Sequence, residues 1–396
     1  MILVIVKFHF TETEGRRNMK KSLLIVLISV LLIGCASKQP SEIIYHVQQP
    51  SVFFEPTEPV IVCTQLSLLM VGDGLLHGAV YKDALKSDGN YDFTSMLRYV
   101  KPIVQKYDLA FYNQESILGG VALGLSSYPT FNSPQSFGDQ MLGLGFNLVS
   151  QANNHSLDKS SKGIESSVAY WKTKATVLTA GTYVSQEDHD EIRIMTKNNI
   201  SYSLLSYTYG TNGITIPNGK TYLVNYIDKE KIKADVEKVR SKVDVLMVSL
   251  HFGTEYTHVP TDYQIEIATY LASLGVDIVI GHHPHVIQPI THIGKTLVIY
   301  SLGNFISSQV GTDRLTGMMA AVNIKKTWVN GVSSIELLNP RADFVYTSYS
   351  ASITNFVLYP FDQLSTNILS AKDATYTQMS KIVTSLDKTI QIGGIR

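Results

Sequence analysis

The chain has 396 residues, 44% of them hydrophobic, enough for one large core or two ordinary ones. Thirty-three basic residues balance thirty-three acidic ones, so nothing in the charge argues for nucleic acid as a partner. Eleven histidines against two cysteines turn any metal chemistry toward histidine and carboxylate ligands and away from thiolates.

Lys20-Lys21 precede an apolar run, Leu23–Ile33, that is too short for a comfortable transmembrane helix and reads as a signal segment. It ends Leu32-Ile33-Gly34-Cys35, which resembles a bacterial lipobox and makes Cys35 the expected lipidation site. Residues 1–35 are therefore expected to be a leader, with 1–18 an over-extended start before Met19. The mature protein is then expected outside the cytoplasm, lipid-anchored to a membrane of the bacterial cell envelope. Residues 36–60, with Pro40, Pro50, Pro56 and Pro59, read as a tether. Cys63 reads as a small buried hydrophobe.

Six apolar runs follow, each expected to be a buried strand that ends in chemically useful residues. Leu66–Val71 leads to Asp73 and His77, Leu109–Tyr112 to Asn113-Gln114-Glu115, and Phe146–Val149 to Asn153-Asn154-His155 and Asp158. Val245–Leu250 leads to His251 and Glu255-Tyr256. Val276–Ile280 leads to Gly281-His282-His283-Pro284-His285, and Thr296–Tyr300 to Asn304. Helical spacing appears between several of them. It covers 93–106, with Pro102 as a break, then 163–174 more weakly, and 228–242 with Ile232, Val236 and Val239 on one face. Thr261 or Asp262 is placed to cap a helix burying Ile265, Ala268, Leu271 and Ala272, with Gly275 ending it. Strand–helix alternation predicts an α/β layered fold, in which ligands bind beyond the carboxyl ends of strands. Met318–Ile324 and Val332–Leu338 flank Asn330-Gly331 and read as a hairpin. Ser365 or Thr366 is placed to cap a short helix. Met379, Ile382, Val383 and Leu386 suggest a final one. Residues 311–396 are expected to complete the same domain as 61–310.

Asp73, Glu115, Asn154, His155, His251, His283 and His285 all fall at expected strand ends. Such a donor set suits Mn, Fe or Zn, and one or two ions of this kind activate water and neutralise a phosphoryl or acyl transition state. A free histidine beside them can protonate a leaving group.

The motifs Gly72-Asp73, Asn113-x-Glu115, Ala152-Asn153-Asn154-His155-x-x-Asp158, His251-Phe252-Gly253-x-Glu255-Tyr256, Gly281-x-His283-Pro284-His285-Val286-x-Gln288 and Tyr300-Ser301-Leu302-Gly303-Asn304-Phe305 occur in this order. Together, over about residues 66–310, they resemble the bacterial capsule synthesis protein CapA family, associated with poly-γ-glutamate production. That family is similar to the calcineurin-like metallophosphoesterases. The resemblance implies a four-layer α-β-β-α sandwich with a metal site at the strand ends. It makes Asp73, Glu115, Asn154, His251, His283 and His285 the metal ligands, Glu115 in the bridging position, and His155 the acid. The pattern departs at Asp73-Gly74-Leu75, where the wider family has Asp-x-His; His77 sits at another offset. His282 has no counterpart and reads as a loop histidine. Glu255 and Tyr256 either contact substrate or cap a loop. Gln288 and Asn304 either bond a substrate carboxylate or amide, or pin turns. Asp158 can orient His155 or cap the following helix; the cap is preferred. The expected function is a metal-dependent hydrolase or transferase on an anionic surface polymer, with membrane proteins of a synthesis or export complex as partners. The alternatives are a non-catalytic polymer-binding component and a phosphoesterase on small substrates.

Overall fold

The computed structural model describes residues 61–396; the leader, Cys35 and the tether lie outside the described residues. The strands are β1 (Ile61–Gly74), β2 (Leu109–Asn113), β3 (Leu148–Ser150), β4 (Leu178–Ala180), β5 (Met195–Lys197), β6 (Ile200–Thr208), β7 (Val245–His251) and β8 (Ile278–His282). They continue with β9 (Ile290–Ile293), β10 (Thr296–Ile299), β11 (Asn304–Ile306), β12 (Thr316–Val329), β13 (Val332–Ser348), β14 (Val357–Pro360) and β15 (Gln391–Ile392). Among the described residues they form two sheets. One runs β14-β13-β12-β1-β2-β3-β4, with β11 beside the end of β1 and β15 beside β13. The other runs β5-β6-β7-β8-β10-β9.

Alternation along the central strands sets the layers. In β1, Leu68 and Met70 point into a core shared with Val245, Met247, Ile278 and Ile280 of the other sheet. Their neighbours Leu69 and Val71 point the opposite way, onto Leu97, Ile103, Phe137 and Met141. In β7, Leu246 and Val248 leave the shared core and pack on Ile232, Val236, Ile267 and Leu271. Each central strand is thus buried on both faces, which is why it reads as an unbroken apolar run. The result is an α-β-β-α sandwich of four layers.

Several local expectations change. Residues 93–106 form two short helices, Thr94–Leu97 and Lys101–Val104, because Pro102 lacks the N–H a continuous helix requires and sits in the first turn of the second. The helix Asp262–Ser273 has a complete capping box between Thr261 and Gln264, but it buries Ile267 and leaves Ile265 exposed. A single turn stands where a helix after Ser365 was expected. Leu386 lies beyond the last helix, Lys372–Val383, and is exposed. Cys63 is exposed within β1, not buried, in the stretch Ile61–Gln65 whose side chains are largely exposed. The hairpin turn falls at Asn330-Gly331. Its first strand, β12, pairs antiparallel with β1 from Ile61↔Val329 to Val71↔Met319.

Candidate metal centre

Parallel pairing brings the ends of distant strands into register. In the first sheet Asp73 is level with Asn304 on one side and Asn113 on the other, and Asn113 is level with Ser150. In the second sheet Thr208, His251 and His282 are level. The two rows face each other, so residues far apart in the chain share one crevice. Gly72 and Gly281 permit this: a Cβ at Gly72 would lie 1.7 Å from the Gly303 carbonyl oxygen, and one at Gly281 would lie 1.9 Å from that of Tyr300. Asn113 ties the rows together. Its Nδ2 donates to Asp73 Oδ1 at 2.8 Å and lies 3.4 Å from His251 Nδ1, while its Oδ1 accepts from Ser150 at 2.6 Å.

Asp73 and Glu115 are fully buried, yet Asp73 Oδ2 and both Glu115 oxygens have no hydrogen-bond partner; neither does Nδ1 of the buried His283. Unpaired carboxylate oxygens in a protein interior are costly, and a cation is the partner that removes the cost. The donors converge accordingly. Asp73, Glu115 and His285 each offer an atom within 4.8 Å of the others, and so do Glu255, His283 and His285. His251 Nε2 lies 3.6 Å from Glu115 Oε1 and 2.8 Å from Asn154 Oδ1. The residues present therefore fit a divalent ion.

The electrostatics describe a site prepared for such an ion. Burial pushes Asp73 up, but the imidazoles of His282 and His285 beside it overcome this and hold it well below the usual carboxylate range. Burial raises Glu115 well above that range; His285 opposes, while Asp73 and Glu255 add to it. Burial and then the neighbouring His285 lower His283 to about 3, and burial and His283 lower His251. Both imidazoles are neutral at pH 7, the form that binds metal. Burial would lower His285 too, but the carboxyl groups of Glu115 and Asp73 beside it raise it to about 9.

A cleft of about 490 Å³ opens over the cluster, lined by His77, Phe131, Asn154, His155, Tyr256 and His285 among others. His155 is buried edge-on against Phe131, with Nδ1 2.7 Å from Asp158 Oδ2. A carboxylate only accepts, so Nδ1 carries the proton and Nε2 is left to exchange one in the cleft. Asp158 is thus a partner of His155, not a helix cap; the helix Ser160–Lys172 starts from Lys159 with no side-chain cap. His282 is not a loop residue: it ends β8, is fully buried on Phe111, and places Nδ1 3.2 Å from Asp73 Oδ1. Asn304 is buried, with Oδ1 3.0 Å from His285 Nδ1 and Nδ2 donating to Gln309 Oε1 and to the Arg314 carbonyl. Gln288 is buried and donates to the carbonyls of Thr257 and Val259. Tyr256 is exposed, under the Arg314 guanidinium.

The sequence matches the family model described as bacterial capsule synthesis protein PGA_cap over residues 67–309. The chain belongs to that family. It is 29% identical to the PGA biosynthesis protein CapA of Bacillus subtilis over 49% of this chain and 50% of that protein, so the match spans half the relative's length. It is 24% identical to the capsule biosynthesis protein CapA of Bacillus anthracis over 78% of this chain and 72% of that one. Among solved structures it is similar to the calcineurin-like phosphoesterase YfkN from Bacillus subtilis, with TM-score 0.40 and 13% identity over 81% of this chain and 100% of that one.

Some members of the site were not singled out from sequence. Asn113 stood in view beside Glu115, and the shared register of strand ends was the signal that would have selected it. Tyr209, which stacks on His251 and meets His283 at a tilt, and Asn212, which accepts from Asn154 at 3.3 Å, follow β6. That strand reads Ile-Ser-Tyr-Ser-Leu-Leu-Ser-Tyr-Thr; its serines hide it from a search for apolar runs.

Proposed function

We propose that this capsule-synthesis family member is a metal-dependent hydrolase or transferase of capsule or poly-γ-glutamate biosynthesis, lipid-anchored in the cell envelope through Cys35. The observation that carries the reading is the set of unpaired buried oxygens on Asp73 and Glu115 beneath a cleft that also holds His155 and Asp158. Asp73, Glu115, Asn154, His251, His283 and His285 would hold one or two ions of Mn, Fe or Zn. When bound, such an ion stabilises negative charge on a phosphoryl or acyl group and makes water a better nucleophile. His155, oriented by Asp158, gives a proton to the leaving group from Nε2. Tyr128 and Tyr256 stand exposed at the cleft, where an extended anionic polymer would lie along them. Membrane proteins of a synthesis or export complex are the partners this role requires.

A second reading is a polymer-handling protein without turnover. Leu75 favours it: this apolar side chain lines the cleft where the wider resemblance places a histidine ligand. A small-substrate phosphoesterase is a third. Elemental analysis of the chain purified without chelator, beside a His283→Ala/His285→Ala double variant, tests the proposal. About one to two equivalents of Mn, Fe or Zn, lost in the variant, support it; phosphoester and γ-glutamyl substrates then separate the readings. A folded parent that holds no metal and takes none up would end the hydrolase reading.

A further inference from the structure

We propose that Glu255 is a metal ligand, completing with His283 and His285 an outer cation position at the mouth of the cleft. The inference rests on the metal reading above and adds to it a carboxylate so far assigned only to substrate contact or loop capping. Glu255 offers an oxygen within 4.8 Å of donor nitrogens on both His283 and His285. His283 Nδ1 is buried and has no hydrogen-bond partner.

The backbone holds this trio together at a cost. His283 and His285 have φ of +97° and +57°, and Tyr256, next to Glu255, has φ of +64°. L-residues adopt such values at an energetic penalty, which persists only where surrounding contacts impose it. Those contacts join the two segments directly. The Tyr256 amide donates to the Pro284 carbonyl at 2.8 Å, and the Phe252 amide to that of His282 at 3.1 Å. The loop that carries Glu255 is therefore pinned to the turn that carries the two histidines.

The nitrogen His285 offers is also fixed. Asn304 uses its Nδ2 as a donor to carbonyl and amide oxygens, so its Oδ1 accepts the Nδ1 proton of neutral His285. Nε2, 3.7 Å from Glu115 Oε1, is left with the lone pair. One lone pair serves one ion. With both positions filled, Asp73, Glu115, Asn154 and His251 would hold the inner ion, and Glu255, His283 and His285 the outer one.

The test is equilibrium dialysis of the full chain against Mn²⁺, with parent, Glu255→Gln and Asp73→Asn proteins, and thermal unfolding to show that each is folded. Glu255→Gln keeps size and exposure and removes the charge. It is expected to lose one Mn²⁺ equivalent, or to bind Mn²⁺ about tenfold or more weakly, while Asp73→Asn depletes the inner position. A parent that binds Mn²⁺ and a Glu255→Gln protein with the same stoichiometry and affinity would overturn this inference and leave the metal reading standing. A parent that binds none would remove both.

Discussion

His155 donates its Nδ1 proton to Asp158, and that bond decides which nitrogen works in the cleft. A histidine acting as general acid contributes a factor of about 10²–10⁴ to rate. His155→Ala is therefore expected to lower turnover by about that factor while metal content, measured by elemental analysis, stays at the parent level. Asp158→Asn keeps the volume and, with its amide oxygen in the place of Oδ2, the acceptor for the Phe131 amide and His155 Nδ1, but it removes the negative charge that stabilises a protonated His155. It should slow turnover, with metal content and substrate KM little changed. An Asp158→Asn protein with parental kinetics would assign the pair to loop structure. The sequence placed Asp158 three residues after His155, a spacing that serves a cap and an ion pair equally well. The fold distinguishes them: Asp158 meets His155 and the Phe131 amide, and the helix that follows starts from Lys159 without a side-chain cap.

At the scale of elements, the strands legible as apolar runs are those buried on both faces, since those runs are continuous: β1, β2, β3, β7, β8 and β10. The strand β6 alternates serine with apolar residues and was not legible. The helix Asp262–Ser273 was legible in position but turned by a fraction of a turn from expectation, since Ile265 and Ile267 both fit an apolar pattern and only the sheet beneath selects Ile267. Glycines give a test of how tightly the elements are fitted. Gly72→Ala would put a Cβ 1.7 Å from the Gly303 carbonyl oxygen, a backbone atom that cannot step aside without breaking the β1–β11 pairing. It is expected to cost about 3 kcal/mol or more in denaturant unfolding, or to abolish soluble expression. Gly143, on the exposed side of the helix Ser136–Leu144, has nothing within 4 Å of its Cβ position. Gly143→Ala should stabilise by about 0.4–1 kcal/mol in the same measurement.

Across the whole molecule the two sheets use one device at the ends remote from the cleft. Asp108, just before β2, accepts from the amide and hydroxyl of Ser67 in β1; Asp244, just before β7, accepts from those of Ser201 in β6. Lys326 of β12 then reaches Asp244 at 2.6 Å and joins the first sheet to the second. These clamps fix strand register at one end, and register delivers the candidate metal donors at the other. The site was legible as residues at strand ends; its connectivity was not, because pairing of β1 with β11 and β12 is set by contacts remote in sequence. The same architecture makes stability, pH and metal one linked property. His285 titrates near 9 against an ordinary 6.5, so its contribution to the metal-free fold is full below about 6.5 and is lost as pH rises through 9. Asp73 has the opposite sign: held well below 3.8, it contributes above that value and loses the contribution as pH falls. Glu115, raised by burial, takes stability from the metal-free chain as pH rises above the ordinary carboxylate range. A divalent ion that takes His285 as a ligand must displace its proton at neutral pH. Mn²⁺ at about 100 times its dissociation constant should therefore stabilise the chain by about 2.7 kcal/mol, an increment read as a rise in Tm. At a fixed Mn²⁺ concentration that rise should grow between about pH 6 and 9, because fewer protons compete and the metal-free chain is itself losing stability. Isothermal titration in buffers of different ionisation enthalpy should show proton release at pH 7. A Tm increment independent of pH, with no protons released, would mean that His285 does not bind the ion.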